Sequence, residues 1–192
     1  MIKAVIFDCF GVLYGDGKAY LTSLVSEDKR QELHDLYMQA DYGVISGEDF
    51  TQRTATMTGL SIAELERMIG SHYVRNDRLF DYAWRLKDQY KIGLISNVGD
   101  NLVNRLFTTH EQEKLFDAMV LSSQFGVVKP AREIYEVAAR QLDVLPGECY
   151  FTDDIQSNVD GAKNAGMHAA LFTTNERFEY ELTDLVHELS NA

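Results

Sequence analysis

The run Ile2-Lys-Ala-Val-Ile-Phe7, ending on Asp8-Cys9-Phe10-Gly11-Val12-Leu13, constrains this chain more than any other segment. A β-branched, nearly continuous apolar stretch reads as a strand buried on both faces, which belongs in a parallel sheet. Asp8 then stands at the carboxyl end of that strand, where open α/β sheets gather their ligands. Three further polar groups follow strand-like runs in the same way: Ser96 after Ile92-Gly-Leu-Ile95, Lys129 in Val127-Val-Lys-Pro130, and Asp153-Asp154 after Cys149-Tyr-Phe-Thr152.

Strand-like runs cover 2–7, 92–96, 118–122, 149–152 and 169–172. From the second run onward the connections carry apolar residues at helical spacing, at Asn101 to Phe107, Ala131 to Leu142 and Ile155 to Ala165, with Gly166 as a C-cap. A terminal helix over Glu176 to Leu189 places Phe178, Leu182, Leu185, Val186 and Leu189 on one face. This alternation predicts an α/β fold, a parallel Rossmann-like sheet with helices on both faces.

The gap between the first two strands breaks the pattern. About seventy residues follow the turn signal Tyr14-Gly15-Asp16-Gly17, where one crossover needs only about a dozen. Lys29 to Ala40, Gly47 to Thr58 and Ser61 to Ile69 read as short helices, and Ser46-Gly-Glu-Asp49 and Ser61-Ile-Ala-Glu64 have capping-box spacing. The expected organisation is a core of residues 1–14 and 88–192 with a helical cap over 15–87, hinged at Gly15-Asp16-Gly17 and near Lys87-Asp88.

Composition excludes several classes. The 192 residues are 45% hydrophobic and carry a net charge of −12, which argues against non-specific affinity for nucleic acid or an anionic membrane. No apolar run approaches the ~18 residues of a spanning helix. The chain enters its first strand with no basic region or cleavage site, so the expected location is the cytoplasm. Cys9 and Cys149, both inside core strands, read as reduced thiols.

Taken in order, these four pieces resemble the four motifs of the haloacid dehalogenase-like hydrolase superfamily. The residues that carry the resemblance are Phe7-Asp8-Cys9-Phe10-Gly11-Val12-Leu13, Ile95-Ser96-Asn97, Lys129-Pro130 with Ile134-Tyr135, and Phe151-Thr-Asp-Asp154 with Asn158 and Gly161-Ala162. The resemblance implies a Rossmann-like core with a cap inserted after the first strand. The chain is most similar to the small-cap members, which include sugar-phosphate phosphatases and the N-terminal domain of epoxide hydrolase.

In that family the residue matching Asp8 is the nucleophile, which forms an aspartyl-phosphate. The resemblance assigns Ser96, Asn97, Lys129 and Gly11 to the phosphate, and Mg²⁺ to Asp8, the Phe10 carbonyl and Asp154, with Asp153 as a further ligand or outer partner. The residues themselves point to the same cation. Three carboxylates against one ammonium leave two negative charges that a divalent ion neutralises, and Mg²⁺ takes carboxylates, waters and phosphate. The function implied is Mg²⁺-dependent hydrolysis of a small phosphorylated metabolite. Blander roles stay open for Ser96 as a strand-end cap and for Lys129 as a loop charge.

Three positions depart from the family pattern. Phe10 replaces the acid that usually protonates the leaving group, either as core packing or as a substrate-shaping wall. Asn158 stands where a second acid is common, and Ala131 where an acid often braces the lysine. An aromatic at position 10 is also found in 2-haloacid dehalogenases, so carbon–halogen hydrolysis is the alternative. A catalytically weak phospho-ligand or partner-binding protein is the third reading. Tyr14, Tyr42, Arg53, His72 and Arg75 are polar or aromatic candidates for the cap side of the site.

Overall fold

Strand order brings the ends of the motif-bearing strands together. In this computed structural model, which describes residues 1–100 and 102–190, five strands form one sheet: β1 (Ala4–Phe7), β2 (Lys91–Ser96), β3 (Ala118–Leu121), β4 (Cys149–Asp153) and β5 (His168–Leu171). The order is β3-β2-β1-β4-β5, with every pair parallel. The chain builds outward from β1 to β3, then crosses back to place β4 on the other side of β1. That reversal makes a crevice outside the carboxyl ends of β1 and β4. Phe7 pairs with Leu94 of β2 and Thr152 of β4, so Asp8 emerges level with Asp153 and beside Ser96.

The sheet is buried on both faces because alternate β1 residues feed separate apolar clusters. Val5 and Phe7 pack with Leu79, Phe80, Ala83 and Leu86 of α5 (Asp77–Leu86) and with Phe178 and Leu182 of α10 (Asn175–Ser190). Ala4 and Ile6 pack on the other face with Ile134, Tyr135 and Ala138 of α8 (Arg132–Gln141) and Ala162 of α9 (Gln156–Asn164). The expected α/β architecture is therefore present.

A third apolar cluster stands apart, built from Leu21 and Val25, Leu33, Ala55 and Leu65. It joins α1 (Lys18–Leu24), α2 (Arg30–Asp41), α3 (Gly47–Thr58) and α4 (Ile62–Gly70). Ser61 makes the full capping box, accepting from the Glu64 N–H at 3.3 Å while Glu64 accepts from the Ser61 N–H at 3.0 Å. Ser46 accepts from the Asp49 N–H at 3.0 Å, the forward half of the expected box.

The elements differ from expectation where local pattern under-determines packing. Helices α1 and α5, the short helix Ser122–Phe125 and a π-turn at Glu111–Leu115 were not anticipated. Residues 77–86, expected within the inserted module, bury their apolar face against the sheet instead, because Leu79, Ala83 and Leu86 recur at helical spacing and meet Val5 and Ile92. The predicted helix from Asn101 is described from Leu102 to Leu106, Asn101 itself lying outside the described residues. Among the described residues no helix is long and apolar enough to cross a membrane.

Candidate active site

Lys129 is the centre of the site. Its Nζ lies 2.7 Å from Asp8 Oδ1 and 2.6 Å from Asp153 Oδ2, and all three side chains are buried. Burial alone works to strip the proton from this lysine, but the two carboxylates outweigh it and hold its pKa above the ordinary lysine value. The Lys129–Pro130 peptide is cis, and the Asn97 amide clamps the Lys129 main chain from both sides. Asn97 Oδ1 accepts from the Lys129 N–H at 2.7 Å, and its Nδ2 donates to the Lys129 carbonyl at 2.9 Å. The side chain assigned to phosphate is thus occupied in positioning the lysine.

Asp8 gives Oδ1 to Lys129 and to the Cys9 N–H at 2.6 Å, while Oδ2 receives no hydrogen bond from the described residues. Burial pushes the Asp8 carboxyl up to about 7, against the pull of Lys129 and with a further push from Asp153. Asp153 is fully satisfied. Its Oδ1 accepts from the Ile155 N–H at 2.8 Å and Asn158 Nδ2 at 3.0 Å, and its Oδ2 from Lys129 and, at 3.1 Å, Asn158. So Asn158, which stands where a second acid is common, donates to both oxygens of Asp153. The brace absent at Ala131 comes from the same Asp153.

Asp154 is exposed, and its carboxyl is raised by partial burial and by Asp153. One oxygen from each of Asp8, Asp153 and Asp154 lies within 4.8 Å of the others, a span that one cation fills. Gly11 makes this possible: its φ is +84°, and a Cβ there would collide with the Asp154 carboxylate. The Gly11 N–H donates to the Tyr14 carbonyl at 2.7 Å. Ser96 is fully buried at the end of β2, with its hydroxyl unpartnered. An orphan donor costs stability unless a ligand takes it.

Cys9 is buried and its thiol is driven well up, first by burial and then by Asp8, which leaves it no nucleophilic role. The two cysteines are free.

A cavity of about 640 Å³ opens at this end of the sheet, walled by Phe10 and Asn97 on one side and α1–α4 residues on the other. The Phe10 ring packs at 5.4 Å, tilted, on Tyr73. None of Tyr14, Tyr42, Arg53, His72 or Arg75 lines this space. Arg75 Nη1 donates to Tyr14 Oη at 2.9 Å and its guanidinium also pairs with Glu111, while His72 stacks on Tyr20 at 3.9 Å. The polarity of Arg75, Tyr14 and His72 is spent inside the protein, whereas Tyr42 and Arg53 are exposed away from the cavity. The residues that face the cavity and that sequence reasoning missed include Tyr73, Lys18 and Asp41. Helical spacing could have marked Asp41 as an acid on the inner face of α2.

A profile of the haloacid dehalogenase-like hydrolases matches residues 2–166. The chain is 25% identical to a D-ribitol-5-phosphate phosphatase of Bacteroides thetaiotaomicron over 97% of its own length and all of that protein's. It is 28% identical to a sesquiterpene phosphatase of Aspergillus oryzae, with 96% of each chain covered. Among solved structures, a HAD-family enzyme of Bacteroides thetaiotaomicron superposes with a TM-score of 0.79 at 22% identity, covering 94% of this chain and 98% of that one. A complex of that enzyme with magnesium and inorganic phosphate superposes with a TM-score of 0.76 at 21% identity, covering 91% and 96%.

Proposed function

The chain belongs to the haloacid dehalogenase-like hydrolase family, and from that premise we propose that it is a Mg²⁺-dependent phosphatase of small phosphomonoesters. One observation carries this reading. Lys129 bridges Asp8 and Asp153 while Asp154 stands beside them, a charge arrangement built for a cation and a phosphate together. Both full-length relatives named above are phosphatases. The paired acids Asp153 and Asp154 disfavour metal-free attack on a carbon–halogen bond.

The donor set fits the metal: hard carboxylate oxygens of Asp8 and Asp154, with room kept by Gly11. The Phe10 carbonyl is the third expected protein ligand. Asp153, with both oxygens already accepting, acts from outside by holding Lys129. When bound, Mg²⁺ supplies positive charge against the phosphoryl oxygens and the Asp8 carboxylate.

Asp8 Oδ2, free of donors, attacks phosphorus as the bond to the leaving oxygen breaks, giving an aspartyl-phosphate. Lys129 and the Ser96 hydroxyl hold equatorial oxygens, which gives the orphaned Ser96 its partner. Water then attacks phosphorus and releases phosphate and Asp8. Phe10 cannot donate a proton, so the departing alkoxide takes its proton from solvent. The α1–α4 module, expected as part of the 15–87 cap, acts as the lid that shapes the leaving-group side.

Assaying a panel of phosphomonoesters with and without Mg²⁺ tests the proposal. Turnover should require the metal, and Asp8→Asn should leave no more than about one per cent of it with the fold intact. Turnover of haloacids, or none of any phosphate ester, overturns the reading.

A further inference from the structure

Asp41, the last residue of α2, lines the cavity but is only 9% exposed. Its main chain is pinned: the Ser122 hydroxyl donates to the Asp41 carbonyl at 2.6 Å and accepts from the Val98 N–H at 2.9 Å, tying α2 to the loop after β2. Its carboxylate receives no hydrogen bond from the described residues. The carboxylate opens on the cavity with its acceptor capacity unused by the protein, and it borders the space that the leaving group would fill.

The surrounding charges narrow what could use it. The ammonium groups of Lys18, on α1, and Lys129, at the reaction centre, both act on Asp41, so its charge is already partly balanced within the protein. What remains open is hydrogen-bond acceptance. Asp16, Glu48, Glu66 and Asp100 also line the cavity, and its other lining cation, Arg105, is held by Glu66 at 2.7 Å. A second anionic group on the substrate would meet this wall of acids. An uncharged hydroxyl would not.

We infer that Asp41 is a specificity residue that accepts a hydrogen bond from a leaving-group hydroxyl, selecting phosphate monoesters of neutral polyols over alkyl phosphates and over esters with a second anion. This rests on the phosphatase reading above and narrows its substrate class. The pinned main chain fixes where the side chain starts and burial narrows its rotamers, so less freedom is lost when the hydroxyl binds than at an exposed aspartate.

The experiment compares kcat/KM for glycerol 3-phosphate, n-propyl phosphate and 3-phosphoglycerate, with Mg²⁺, in the wild type, Asp41→Leu and Asp41→Asn. The wild type should favour glycerol 3-phosphate over each of the other two by at least about tenfold. Asp41→Leu should cut the preference over propyl phosphate by about tenfold, what remains being the lower basicity of the glycerol oxygen, and Asp41→Asn, which keeps an acceptor oxygen and the side-chain shape, should lose less of it. Because each ratio is taken within one protein, loss of folded material cancels. Equal wild-type turnover of glycerol 3-phosphate and propyl phosphate overturns the inference while leaving the phosphatase reading standing, as does a ratio that Asp41→Leu does not move. Absence of turnover with every ester overturns both.

Discussion

The Asp154 carboxylate occupies the space where any other residue at position 11 would carry its Cβ. Gly11 is therefore needed twice, for its φ of +84° and for this approach. Gly11→Ala should cost roughly 1–2 kcal/mol for the left-handed backbone. It should also displace Asp154 and weaken Mg²⁺ binding about 10–100-fold, as losing a group that orients a ligand does. Calorimetric titration of Mg²⁺ alone reads the second effect without reference to turnover, and unchanged affinity would remove Asp154 from the ligand set.

Removing the ammonium that joins Asp8 to Asp153 leaves buried charge without its partner. Lys129→Ala should destabilise the protein by about 3–5 kcal/mol. Asp8, already raised by burial, rises further without Lys129. A carboxyl whose folded pKa lies above its unfolded one loses stability as pH rises between the two, so the deficit should be smaller at pH 5 than at pH 8. Urea denaturation of metal-free protein at both values measures it.

Phe10 implies a leaving-group signature. General acid catalysis is worth about 10²–10⁴ in rate, and the aromatic ring supplies none. Turnover should fall steeply from p-nitrophenyl phosphate to alkyl phosphates as the leaving oxygen becomes more basic. A flat profile with chemistry rate-limiting would mean that another group delivers the proton.

Burial raises Asp41 to about 6, against the opposing pull of Lys18 and Lys129. Since the folded pKa exceeds the unfolded value, stability is lost as pH climbs from about 4 to about 6, and the ionised group is a net cost above that range. At about 1.4 kcal/mol per pKa unit, Asp41→Asn should stabilise the protein at pH 7.5 by up to about 3 kcal/mol. Thermal unfolding at pH 4 and 7.5 tests this, the two proteins converging at the lower pH.

Some of the fold and site was legible from residue order alone. A run such as Ala4–Phe7, apolar at every position, is stable only between two covered faces, so the parallel sheet follows from local chemistry. Asp8, Ser96 and the Asp153-Asp154 pair could be picked out because each lies at or just past the end of such a run, and parallel strands deliver those ends to one edge; Lys129 arrives instead on a turn after the short helix Ser122–Phe125. The helical insert followed from chain length and caps, among which Ser61–Glu64 is complete.

Tertiary structure alone decided what those residues do for one another. That Asn97 clamps the Lys129 main chain and Asn158 donates to Asp153 depends on distances across 32 and 5 positions of sequence, which no periodicity records. Helix α5 carries an apolar stripe that would serve a cap or a core equally well, and only contact with Val5 and Ile92 assigns it to the sheet. Arg75 and His72 looked available from their chemistry, but Tyr14, Glu111 and Tyr20 consume them. Asp41 was reachable from helical spacing only as an acid on the inner face of α2. Burial without a donor is a property of its surroundings, set when α2 is pinned against Val98 through Ser122. Sequence determines which groups a chain carries and which faces must be covered; packing determines which of those groups are satisfied within the protein and which are left for a ligand.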